Sequence, residues 1–405
     1  MPHPLSPRNR RHLLAGLAGL LIPLPAHALF RFNDGRDQVY VTAYIGTGYD
    51  SNVFANKAAS SDVVFTGGAG MEYARKAGLI GVNASLGWDF GSFDTFSTED
   101  FLNPSASLEF SKGTGRTTGA VQLNARRVSR ADPTVGLRTD SWNYGINLNY
   151  RYPVMDRYSI AGNLGWDRID YQDEGVTFVD LDSYTIGTDL FYNWRSDRDL
   201  LAGYRYRLSE SSATSEGRDH SFYVGVSGRI LSKLSGSARV GWTFHKNTYP
   251  AATTLPDLAT SITEDTSDGL YVSLSGTWPA TRKINFTLSL SQDFSTTSTN
   301  FQTETGTADL VGKFSHTVKF STSANVGAGY TNYISGFVNN TPVFTPGFRG
   351  GDREDYYVTA GVGASYVISN HFTLSANYSY YENWSNLSDF TFSRHSIGLS
   401  LSTRW

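Results

Sequence analysis

The chain has no cysteine, only three methionines and thirteen prolines in 405 residues, and no apolar run long enough to cross a membrane as a helix. Each shortage excludes something. Without cysteine there is no disulfide and no thiolate metal site, so the fold must hold without covalent staples. A spanning helix needs roughly 18 consecutive apolar residues, and the hydrophobic content here is only 40%. A helical membrane protein is therefore excluded. Basic charge is scarce too: 34 Lys and Arg face 37 Asp and Glu, without the clustered basic excess that a nucleic-acid-binding surface needs.

The first residues form a leader. Arg8, Arg10 and Arg11 precede an apolar run from Leu13 to Leu24, and Ala26-His27-Ala28 places small residues where a signal peptidase reads them. Cleavage is expected before Leu29, giving a signal peptide at 1–28, a periplasmic lead-in at 29–37 and a barrel at 38–405. Loss of the three arginines takes the net charge from −3 to −6.

What the chain does have is 40 glycines, 14% aromatic residues and a period of two that recurs to the C-terminus. In Ile284 to Ser295, Ile284, Phe286, Leu288 and Leu290 point one way and Asn285, Thr287, Ser289, Ser291 and Asp293 the other. Trp142, Tyr144, Ile146, Leu148, Tyr150 and Tyr152 alternate in the same way with Asn143, Gly145, Asn147, Asn149 and Arg151. One face suits lipid and the other suits water. A soluble β-sandwich would alternate as well, so the connections decide. Eight short turns fall near residues 76–78, 112–116, 153–157, 195–198, 231–233, 279–282, 315–317 and 369–371. Nine longer polar loops fall near 50–61, 91–99, 130–138, 171–180, 211–218, 247–265, 295–302, 331–353 and 384–389. Short links alternating with long ones predict an all-β fold, a transmembrane antiparallel up-and-down β-barrel of about eighteen strands, with both termini in the periplasm. The tryptophans, from Trp88 to Trp405, lie mostly near strand ends, where a girdle would meet lipid headgroups.

The last strand, Ser396 to Trp405, alternates Ile397, Leu399, Leu401 and Thr403 and ends on an aromatic residue. It resembles the C-terminal signal read by the barrel-assembly machinery, which implies an outer-membrane destination. The segment Gly48-Tyr49-Asp50-Ser51-Asn52-Val53-Phe54 resembles one near the first strand of the β-barrel porin 2 family, which includes barrels encoded with exopolysaccharide synthesis and export genes. The resemblance implies an outer-membrane barrel and a pore for polysaccharide, and it carries no catalytic residue. By its own chemistry the same segment starts a loop, because Asp50, Ser51 and Asn52 can bond their own backbone.

A barrel of 16–18 strands is too wide for side chains to fill, so its inward residues are the candidates for function. The expected inward set includes Arg205, Arg207, Arg229 and Arg239 as a basic wall for an anionic solute, with Asp167, Asp189, Asp293 and Asp309 elsewhere, separating the charges. The alternative is that these charges pair and keep a wet interior rigid. Tyr44, Tyr223, Tyr271 and Tyr357 are expected inward, where rings could stack on sugars. The longest loop carries Phe337, Phe344 and Phe348 and is expected to fold across the mouth as a constriction. Five histidines follow the leader, on separate hairpins, and no metal spacing, phosphate loop or nucleophile elbow is present. The acids Asp352, Glu354 and Asp355 read as a solvated strand start. The chain is thus expected to be no enzyme and to need no cofactor. It is expected to work in outer-membrane lipid as a channel for polar solutes or an exopolysaccharide, the alternative being a structural or adhesive barrel closed by its loops.

Overall fold

In the computed structural model, residues 30–33, 36–75, 78–172, 178–250, 262–335 and 353–405 are described. The predicted signal peptide, together with Phe337, Phe344 and Phe348 of the expected constriction, lies outside them.

The sequence alternation becomes a single antiparallel sheet closed on itself. A short strand β1 (Phe30–Phe32) precedes the eighteen of the barrel. These are β2 (Asp37–Asp50), β3 (Asp62–Arg75), β4 (Gly81–Phe93), β5 (Phe101–Lys112), β6 (Thr118–Asp132), β7 (Leu137–Met155), β8 (Tyr158–Tyr171), β9 (Leu181–Arg195) and β10 (Arg198–Ser211). They continue as β11 (Glu216–Arg229), β12 (Ser235–Pro250), β13 (Ile262–Pro279), β14 (Ile284–Thr296), β15 (Gln302–Ser315), β16 (Phe320–Ser335), β17 (Glu354–Val367), β18 (Phe372–Ser385) and β19 (Phe392–Arg404). Each pairs with the next, and β19 closes on β2 from Ser396 opposite Asp50 to Arg404 opposite Thr42. Beyond that point β1 takes over the same edge of β2, with Phe30 opposite Val39. The expected lead-in thus includes a strand that prolongs the seam.

The strand count agrees with the alternation of short and long links, but two loops are shorter than expected. Strands β6 and β7 run into the 130–138 region and leave only 133–136 between them, while β12 and β13 run well into the 247–265 region.

Burial is inverted relative to a water-soluble protein. Ile186, Phe222 and Val224 are 54–60% exposed, while Ser221 and Thr243 on the opposite face are at most 1% exposed. Large apolar side chains cover the outside of the barrel and polar ones are packed within, which is stable only when the outside meets lipid. No helix among the described residues is long and apolar enough to cross a membrane; the strands do it. Tryptophans mark the outer surface near its margins. Trp194 and Trp278 stand at the end with short turns, Trp384 stands at the end with long loops, and the indole of Trp242 donates to Asp268 (2.8 Å).

Candidate functional site: the lumen and its loop-end mouth

The inner face of β9 to β14 carries the residues singled out by charge, and the sheet joins arginines and acids that were expected apart. The Arg205 guanidinium donates to both carboxylate oxygens of Asp293 (2.8 and 2.7 Å), four strands away. Arg207 reaches Asp293 (3.1 Å) and donates through Nε to Asp219 (2.7 Å). Arg239 donates to Asp189 (3.1 Å), which also accepts from the Tyr223 hydroxyl (2.8 Å). Neighbouring strands lie close to 4.8 Å apart along the wall, so a pair spanning four strands is a chord across a curved wall. The expected free basic wall with a separated field is therefore corrected, and the alternative reading describes these residues: the charges pair with each other. Arg229 lies outside the group altogether. It is 57% exposed at the turn end and bonds Asp197 (2.8 Å).

Curvature makes these chords short. At Gly241 of β12 an added Cβ would sit 1.9 Å from the Phe222 carbonyl oxygen and 2.6 Å from the Tyr223 Cα, so only glycine lets β11 and β12 approach this closely.

The tyrosines are occupied as well. The rings of Tyr223 and Tyr271 stack with centroids 4.9 Å apart, Arg239 lies over Tyr223 and Arg205 over Tyr271. Tyr357 stacks on Tyr381 (5.7 Å), and the Tyr44 hydroxyl donates to Asp89 (2.8 Å). Tyr223 and Tyr271, expected to offer ring faces to sugars, instead pack between guanidiniums. Asp167 and Asp309 make no ion pair among the described residues. Two inward arginines that charge counting missed, Arg126 and Arg130 of β6, also have no acidic partner there. The signal that could have found them is their spacing of four on one strand, which puts both on the same face.

The mouth at the loop end is bridged. Pairing of β6 to β5 stops at Ser105 opposite Arg126, beside Pro104, which has no N–H to give to a ladder. Pairing of β7 to β8 stops at Ser141 opposite Tyr171. Apart from the Gln172 N–H, which still donates to the Asp140 carbonyl (2.9 Å), the hairpin tip from 127 to 140 thus leaves the backbone ladder on both sides and meets groups from around the barrel. Its Asp132 carboxylate accepts from Ser298 (3.2 Å), in the loop between β14 and β15, eight to nine strands away and so on the opposite side. Its Gly136 carbonyl accepts from Asn56 (2.9 Å), and its Pro133 and Thr134 carbonyls accept from Arg353 (3.3 and 2.8 Å). Gly136 has φ +69°, a conformation that glycine adopts without strain.

Arg353 is 2% exposed, held by Asp355 (Nε to both oxygens, 3.0 Å) and flanked by the rings of Tyr333 and Phe390. Asp355 is therefore a buried partner and not part of a solvated strand start. The segment from Gly48 to Phe54 is equally built in: the Asn52 N–H donates to Asp50 (3.0 Å), Asn52 is fully buried, and Asp50 pairs with Arg394.

His245 is buried with Nδ1 2.5 Å from Asp219, its ring stacked on Phe294 at the root of the 297–301 loop. Among the described residues no three His, Asp or Glu side chains gather to hold a metal. The remaining space includes a cavity of about 750 Å³ lined from β5 to β13, with Arg151 and Asn163 among its walls, and one of about 490 Å³ beside the seam and the inturned hairpin.

No family model matches the chain, and no curated protein matches its sequence. Among solved structures the barrel is similar to OccK1 (OpdK) of Pseudomonas aeruginosa, at 10% identity and a TM-score of 0.46, covering 91% of this chain and 99% of that one. It is similar to Pseudomonas aeruginosa OccK2 (OpdF), at 8% identity and a TM-score of 0.45, covering 91% and 97%. It is also similar to a bacterial polysaccharide outer membrane secretin, at 9% identity and a TM-score of 0.37, covering 90% and 98%. These are similarities of fold.

Proposed function

We propose that the chain is an outer-membrane channel for polar, hydroxyl-rich solutes, with both termini in the periplasm and its loop end outward. The observation that carries this reading is the closed eighteen-stranded barrel, apolar outside and lined inside by Ser, Thr, Asn, Gly and paired charges. At this strand number the interior is an aqueous passage unless a segment fills it. Here the segment is the 127–140 hairpin tip, held by single hydrogen bonds from Ser298 and Asn56 and by the Arg353 fork. A growing exopolysaccharide is the larger solute that the same polar passage would take. The periplasmic ends are supported by the closure of β19 on β2, where Trp405 and Val41 exchange backbone hydrogen bonds (2.9 and 3.1 Å). A terminal aromatic strand of this kind suits recognition by the assembly machinery.

The bridged mouth also favours a second reading, a structural or adhesive barrel closed by its loops. Single-channel recording in planar bilayers separates the two. A channel gives small, stable conductance steps that grow about twofold or more when Arg353→Ala and Ser298→Ala together release the hairpin. No conductance from either protein, with the barrel intact by circular dichroism, would leave the structural reading standing.

A further inference from the structure

The cavity of about 490 Å³ beside the seam falls within the size range of small-molecule sites, roughly 300–1,000 Å³. Three arginines line it, Arg130, Arg138 and Arg394. Arg394 is neutralised by Asp50 (Nε to Oδ1, 3.0 Å) and Arg138 faces Glu99 at 3.6 Å, whereas Arg130 has no partner among the described residues. One positive charge is left over. Arg138 is held as a wall of the cavity: its side chain is 7% exposed, and its guanidinium lies over the rings of Phe93 and Phe101. The rest of the lining includes the neutral hydrogen-bonding side chains of Thr66, Asn377 and Ser400.

An unpaired guanidinium lining one cavity with hydroxyl and amide groups matches one ligand chemistry, an anionic group carried on a hydroxylated ring. We propose that this cavity is a binding site for a sugar unit bearing a carboxylate or a phosphate, with Arg130 holding the anion and Thr66, Asn377 and Ser400 the hydroxyls. The proposal deepens the channel reading by naming the solute class. The site lies beside the inturned hairpin at the loop end, so a passing solute would meet it at the narrowed mouth.

The test is calorimetric titration of the full chain in detergent micelles, which requires no conductance and so stands apart from the channel experiment. The probes are glucuronate, glucose 1-phosphate and glucose. Both anions should bind, glucose at least tenfold more weakly, and the tighter anion identifies the group preferred. Arg130→Ala should lower anion affinity about tenfold or more, and Arg130→Lys, which keeps the charge but loses the fork, about threefold. Arg229→Ala, at the exposed turn end, should leave it unchanged. Equal affinity for glucose and glucuronate, no binding of either anion, or unchanged binding by Arg130→Ala with the barrel intact overturns the proposal.

Discussion

Two arcs of the same barrel wall solve the problem of a wide interior differently. From β9 to β14 the inner face carries Asp189, Arg205, Arg207, Asp219, Arg239 and Asp293, joined by bonds that tie strands one to four places apart. From β16 through the seam to β3, the charged inward side chains, Asp50 with Arg394, Glu72 with Arg404 and Asp355 with Arg353, sit near the strand ends, and between them the inner face is mostly Ser, Thr, Asn, Gly and Tyr. Both arcs show the same alternation in sequence. The difference is that one is stitched across its own curvature and the other is held by backbone ladders and left open to solute.

The comparison breaks most readily at Asp293. Asp293→Ala leaves Arg205 and Arg207 without their shared carboxylate in a partly buried position and should destabilise the barrel by about 2–4 kcal/mol, the lower end reflecting residual solvent. A lowered urea midpoint after reconstitution measures it; an unchanged midpoint would mean the chords carry no stability. Next is the close approach that shortens the chords. Gly241→Ala puts a methyl into the Phe222 carbonyl and should cost about 1–3 kcal/mol as β11 and β12 are pushed apart. The same assay reads it.

Smaller effects sharpen the contrast. Arg126→Ala removes an inward arginine with no acidic partner, so its effect belongs in ion selectivity. The reversal potential under a salt gradient should move toward cations, more than for Arg229→Ala, with stability within about 0.5 kcal/mol. If Arg229→Ala moves it further, the free charge has been assigned to the wrong strand. In the second arc, Thr359→Val should change stability by no more than about 0.5 kcal/mol. A loss as large as that of Asp293→Ala would erase the distinction between the arcs.

Much of the fold was legible because it depends on local periodicity. The strands, the alternation of short and long links and the inward phase of Arg205 and Arg239 follow from side chains alternating at every residue. Arg229 shows the limit, since phase says nothing of how near a strand end a residue sits, and its place at the turn end comes from where β11 stops. The pairing of Arg205 with Asp293, 88 residues later, was invisible for another reason. It depends on how sharply the sheet bends between them, which Gly241 permits but does not announce.

The mouth followed the same logic. Apolar content pointed to the longest loop, at 331–353, most of which lies outside the described residues; the bridge within them is built by a hairpin of ordinary polar composition, loosened from β5 next to Pro104. By itself the sequence determined a closed, two-faced antiparallel wall, because a period of two and link length act between neighbours. Only the tertiary structure decided which charges cancel, which tyrosines are covered and which hairpin turns inward. Those outcomes depend on distances across the lumen, set by barrel curvature and closure and by no single strand.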